Sequence, residues 1–124
     1  MAASLGAAAV TPESGLWAIT SEISGTQPGR GFTVEVQSGV MVITVFAYDG
    51  SGSDAFYQAS GSFSGTTFSA TLNRYRDGPY FGGGTRSAQD AGSAGTVTIS
   101  FSDSAHGTIT LPGEAAKAVS KVTW

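Results

Sequence analysis

Two apolar segments, GFTVEVQ (31–37) and VMVITVFAY (40–48), are separated by only Ser38 and Gly39. A two-residue connection leaves one arrangement, an antiparallel hairpin, because a parallel return needs a crossover of a dozen or more residues. The same grammar recurs along the chain. GLWAI (15–19), AFYQASGSF (55–63), TTFSATLNRY (66–75), TVTISF (96–101), HGTITL (106–111) and AVSKVTW (118–124) are short runs broken by glycine-bearing turns. Such spacing predicts about seven to nine strands in an all-β antiparallel meander. Nearest-neighbour hairpins favour closure into an up-and-down β-barrel; a β-sandwich is the alternative.

Composition agrees with strands and turns. Of 124 residues, 12% are charged and 18 are glycine, a mixture that disfavours helices. The length is that of one domain. We expect residues 1–13 to form a flexible tail, residues 14–124 a single β domain, and 76–95, dense in glycine, a mobile loop with at most a short strand at Tyr80–Phe81. No cysteine is present, which removes disulfides, thiolate catalysis and cysteine-held zinc. The net charge of −3, with only six scattered basic residues, argues against a nucleic-acid partner. No run has the ~18 apolar residues that a membrane-spanning helix requires.

The segment Val40–Tyr48 raises a specific question. Successive residues of a strand point to opposite faces, yet both faces here are apolar. In GFTVEVQ, Phe32, Val34 and Val36 point inward. Taking Val40, Val42, Phe46 and Tyr48 as the core face of the next strand leaves Met41, Ile43 and Val45 outside. That outer set is the expected interface, for self-association or for a protein partner.

GLW (15–17), PGRGFTVEVQ (28–37), VFAYDGSG (45–52), FYQASG (56–61) and GTVTISFSDSAHGTITL (95–111) together resemble an uncharacterised family of small β domains in exported proteobacterial proteins. The resemblance spans most of residues 15–124. Two positions depart from it: Phe56-Tyr57 stands for the family's Trp-Tyr pair, and Trp17-Ala18 for an aromatic pair near the start. The resemblance implies an exported β module, secreted or periplasmic and frequently appended to other domains, and brings no activity with it.

Chemistry-bearing constellations are sparse. His106 is the only histidine, and in SDSAH it sits at a hairpin tip, where its neighbours cannot form a separated nucleophile and acid. The DGSGSDAF turn (49–56) carries carboxylates, but the position that closes a calcium loop of the EF-hand kind is Ser60. The nine acids fall mainly in turns. These observations point to a non-enzymatic protein with no cofactor and no metal. The aromatic residues remain. Trp17, Arg30, Tyr48, Tyr57 and Tyr80 are the candidates for ligand contact, on the view that a glycan or small apolar ligand enters an aromatic barrel mouth, as in lipocalin- or avidin-like carriers. Arg30 has a second reading, an arginine laid over the sheet and bonded to loop carbonyls or Glu22. A small hydrolase is the remaining class.

Overall fold

The computed structural model describes residues 9–23 and 29–123. Within them, eight strands form a closed barrel in sequence order, every neighbour antiparallel. They are β1 (Gly15–Ile19), β2 (Gly31–Gln37), β3 (Val40–Tyr48), β4 (Asp54–Ser62), β5 (Thr67–Arg76), β6 (Gln89–Asp103), β7 (His106–Thr110) and β8 (Lys117–Lys121). β1 closes the barrel on β8, pairing Trp17 with Lys121 and Ile19 with Val119. The up-and-down barrel expected from the short connections is the observed fold, and the sandwich is not. Among the described residues no helix is long and apolar enough to cross a membrane.

The Ser38-Gly39 turn explains the register. Both residues have positive φ (51° and 76°), the twist that matches a two-residue hairpin. That turn sets Gln37 opposite Val40, hence Val36 opposite Met41, Val34 opposite Ile43 and Phe32 opposite Val45. Directly opposed residues share a face. Since Phe32, Val34 and Val36 point inward, Met41, Ile43 and Val45 must do so too.

This corrects the interface expected from the sequence. Met41, Ile43 and Val45 are buried in the core, Ile43 with no exposed surface at all. The outer face of β3 is the other set, Val40, Val42, Phe46 and Tyr48. The strand does present apolar side chains to solvent, but they are its alternate residues.

One end of the barrel is filled with aromatic rings. Trp17 stacks on Phe32 at 6.1 Å between ring centres and meets Phe101 edge-on at 5.3 Å; Phe63 meets Phe101 edge-on at 5.8 Å. The indole nitrogen of Trp17 donates to the Glu13 carbonyl (2.9 Å). Residues leading into β1 lie across this end. The Val10 amide donates to the Gly65 carbonyl and the Glu13 amide to Ser104, and Pro12 is buried. Residues 10–13 are therefore docked rather than a tail; residues 1–8 of the expected tail lie outside the described residues. Trp124 of the last expected strand also lies outside them.

The expected loop at 76–95 is shorter. Arg76 ends β5 opposite Gln89, and β6 begins there, seven residues before the alternating run TVTISF. The connection is 77–88, and Tyr80–Phe81 form part of a turn rather than a strand. Register shifts between Leu72 and Tyr75 accompany Gly92 and Gly95 at positive φ, which hid this half of β6 from a periodicity reading.

Candidate functional site

The two ends of the barrel differ. Opposite the aromatic-filled end, the β1–β2, β3–β4, β5–β6 and β7–β8 connections surround a mouth lined by Val45, Ala47, Tyr48, Tyr57, Leu72 and Leu111. Arg30, just before β2, and Glu114, before β8, also line it. Arg30 Nη2 donates to Glu22 Oε2 (2.7 Å) and its Nη1 to Glu114 Oε2 (2.6 Å). The Arg30 amide also donates to Glu22 Oε1 (3.0 Å), and Lys117 pairs with Glu114. Hydrogen bonds from Arg30, then from Lys117, hold Glu114 down to about 2. Arg30 likewise lowers Glu22, against a smaller opposing effect of burial. Two cations and two carboxylates thus neutralise one another.

The space in the mouth is about 220 Å³. Small-molecule sites usually measure ~300–1,000 Å³. Deeper in, a Cβ on Gly61 would make ordinary contact with Phe68 at 3.6 Å and Ala70 at 3.7 Å. The mouth is a small vestibule with an ion pair in its lining.

The larger concavity is on the outside. Phe46 of β3 stands directly opposite Phe56 of β4, both side chains pointing outward and each 46% exposed. Beside them lie Tyr48, 52% exposed, and Tyr75 of β5. These rings line a lateral groove of about 520 Å³ whose rim carries Asp54, Arg74 and Arg76. The β3–β4 turn holds part of the rim. Asp49 Oδ1 accepts from the Ser51 hydroxyl (2.7 Å) and from the Ser51 and Ser53 amides, while Oδ2 pairs with Arg74 (3.2 Å). Hydrogen bonds from Ser51 and Ser53 draw the Asp49 carboxyl down to about 2. The aspartate of the DGSGSD turn is committed to backbone amides and an arginine, which accounts for it without calcium. Further along the wall, Val40 and Val42 continue the apolar strip.

Of the five expected contact residues, the fold brings three together at the mouth: Arg30, Tyr48 and Tyr57. Trp17 is fully buried and offers no open ring. Tyr80 lies in the 77–88 connection, 63% exposed, with the Arg86 guanidinium 5.7 Å from its ring centre. It belongs to neither the mouth nor the groove lining. Tyr48 is common to both concavities.

The pairing of Arg30 with Glu22 was legible in QPGRG; its second partner, Glu114, was not. The Phe46–Phe56 pair could have been found. The two-residue turn fixes which face of β3 is outside, and alternation across the next turn then places Phe56 beside Phe46.

The remaining titratable cluster is at the opposite end. His106 Nδ1 lies 2.9 Å from Asp103 Oδ1, both well exposed at the β6–β7 turn, and the Ala105 amide also donates to Asp103. The motif residues behind the family resemblance have structural duties: Trp17 and Phe32 in the core, Arg30 in the ion bridge, Asp49 in the turn. No protein-family model, curated protein or solved structure matches the chain.

Proposed function

We propose that this barrel is a non-catalytic binding module that recognises its ligand on its outer wall, not inside the barrel. The observation that carries the reading is the cross-strand pair Phe46–Phe56, half exposed on a paired sheet and opening onto a groove of about 520 Å³. A neighbouring phenylalanine pair costs hydrophobic burial if left in water, and exposed patches of this kind usually mark contacts. The sheet beneath makes it a pre-formed surface: β3 pairs with β4 over all nine of its residues. A surface fixed before binding loses little entropy on binding.

Support for a non-catalytic role comes from the carboxylates. Glu22, Glu114, Asp49 and Asp103 each accept hydrogen bonds that favour the charged form, so none is poised as a general acid. The barrel interior is the weaker candidate because its mouth is small and has the Arg30–Glu114 pair in its lining.

The test is amide chemical-shift mapping during titration with a library of small aromatic and aliphatic fragments. The expected result is shifts clustered at Phe46, Phe56 and Tyr75. Shifts clustered instead at Tyr57 and Leu111 would move the site into the mouth, and an unresponsive wall would remove the reading.

A further inference from the structure

The lateral groove also indicates what kind of ligand it suits, an inference that rests on the outer-wall reading. Its charges are paired. Arg74 has Asp49 at 3.2 Å and Arg76 has Asp77 at 3.6 Å, with Asp54 also on the rim. Three carboxylates near two guanidiniums oppose an anion, and the guanidiniums oppose a cation. What remains is hydrogen-bonding capacity without a strong field: planar groups that donate and accept in pairs.

A second argument concerns size and edges. Three half-exposed rings, Phe46, Tyr48 and Phe56, offer roughly 300 Å² together, taking half of the 150–250 Å² that an aromatic side chain can bury. A stable protein interface needs about 800 Å² per partner, so a second copy or a globular partner is poorly served, even with Val40 and Val42 added. The β3–β4 seam offers no edge to an extended peptide, because these strands pair with each other over nine residues, whereas β4 meets β5 only at Tyr57–Arg74 and Gln58–Asn73.

We propose that the groove at Phe46, Phe56 and Tyr75 binds a neutral oligosaccharide. The C–H face of a pyranose ring is apolar and lies flat on an aromatic ring, while the hydroxyls at its edge both donate and accept. Phe46 and Phe56, directly opposed on adjacent strands, provide the apolar floor. Arg74 donates to ring-edge hydroxyl oxygens, and Asp54 accepts from the hydroxyls themselves. The groove volume of about 520 Å³ is in the range of small-ligand sites.

The experiment is isothermal titration of the full chain with four neutral hexasaccharides: cello-, chito-, malto- and mannohexaose. A hexamer of alginate serves as the acidic counterpart. The expected result is millimolar or tighter binding of at least one neutral hexamer, at least tenfold tighter than alginate. Phe46→Ala should weaken it by about tenfold or more, Phe46→Tyr should retain it, and Arg74→Ala should weaken it by a smaller factor. Circular dichroism checks that each variant is folded; these are exposed sites on a paired sheet, and Phe56→Ser provides a second floor variant. No binding of any neutral hexamer, tighter binding of alginate, or binding unchanged in Phe46→Ala and Phe56→Ser overturns the saccharide proposal. If saccharides fail while apolar fragments still shift Phe46, Phe56 and Tyr75, the ligand class is wrong and the outer-wall site stands. If both fail, both fall.

Discussion

The Arg30 guanidinium and the Glu114 carboxylate, 84 residues apart in the chain, meet at 2.6 Å at the rim of the barrel. Because Arg30 also grips Glu22, one side chain ties the β1–β2 connection to the β7–β8 connection beside the β1–β8 closure. A lone exposed pair contributes about 0–1 kcal/mol, but this one is forked and only about a fifth of the Arg30 side chain is exposed. Arg30→Ala should therefore lower stability by about 1–2 kcal/mol in urea unfolding. Arg30→Lys should recover only part, since an ammonium cannot address both carboxylates with a planar fork.

The same bridge gives a pH dependence. Glu114 titrates at about 2 in the folded protein against an ordinary 4.5, and Glu22 is shifted in the same direction. Depressed carboxylates mean that the unfolded chain takes up protons first as the solution is acidified. Stability should be full above about pH 4.5 and fall as pH drops toward 2. Thermal melts between pH 2 and 6 should show this slope (Asp49 contributing as well), and Glu114→Gln should flatten it.

Ile43 and Val42 are neighbours on β3 with opposite fates, one wholly buried and one 39% exposed. Ile43→Ala should cost about 2–5 kcal/mol, and Ile43→Lys should prevent folding. Val42→Lys should fold with a melting temperature close to wild type. If the lysine is tolerated at 43 and not at 42, the strand is inverted.

Much of this fold was readable from residue spacing. Short hairpins gave the meander, and the bounds of β1, β2 and β3 coincide with the alternating runs. The start of β6 was not, because QDAGSAG has no large side chain to mark a face and is interrupted by Gly92 and Gly95. The docked segment at residues 10–13 was invisible for another reason: its partners, Gly65 and Ser104, are carbonyls of distant turns. The face of β3 was misassigned through alternation taken one strand at a time. Register across the Ser38-Gly39 turn carries the missing information. The Phe46–Phe56 pair was hidden with it, since these two residues could be recognised as exposed neighbours only after the face was known.

Proteolysis should distinguish the two arginines flanking the β5–β6 connection. Arg76 is held in β5 opposite Gln89, whereas Arg86 lies in the exposed 77–88 segment with its guanidinium 5.7 Å from the Tyr80 ring centre. Trypsin should cut after Arg86 first, as unpaired exposed backbone is the preferred substrate. Initial cutting after Arg76 would mean that the early half of β6 is not paired in solution.

Gly107 tests how closely β6 and β7 approach. A Cβ there would lie 2.4 Å from the Ser100 carbonyl oxygen, so Gly107→Ala must displace backbone. A loss of about 1–3 kcal/mol is expected. Gly50→Ala, with nothing within 4 Å, should be close to neutral. Equal stability of the two variants in chemical denaturation would contradict the close packing of this hairpin.

The outer-wall site requires a particular set of aromatic and sulfur side chains to face water, and hydroxyl-radical footprinting with mass spectrometry reads that directly. Phe46, Phe56 and Tyr48 should be oxidised readily in the free protein. Met41, intrinsically among the most reactive side chains but fully enclosed here, should be protected together with Phe32 and Phe68 until the protein is unfolded. Rapid oxidation of Met41 alongside protection of Phe46 and Phe56 in the native state would contradict the inside–outside assignment, and the outer-wall site with it.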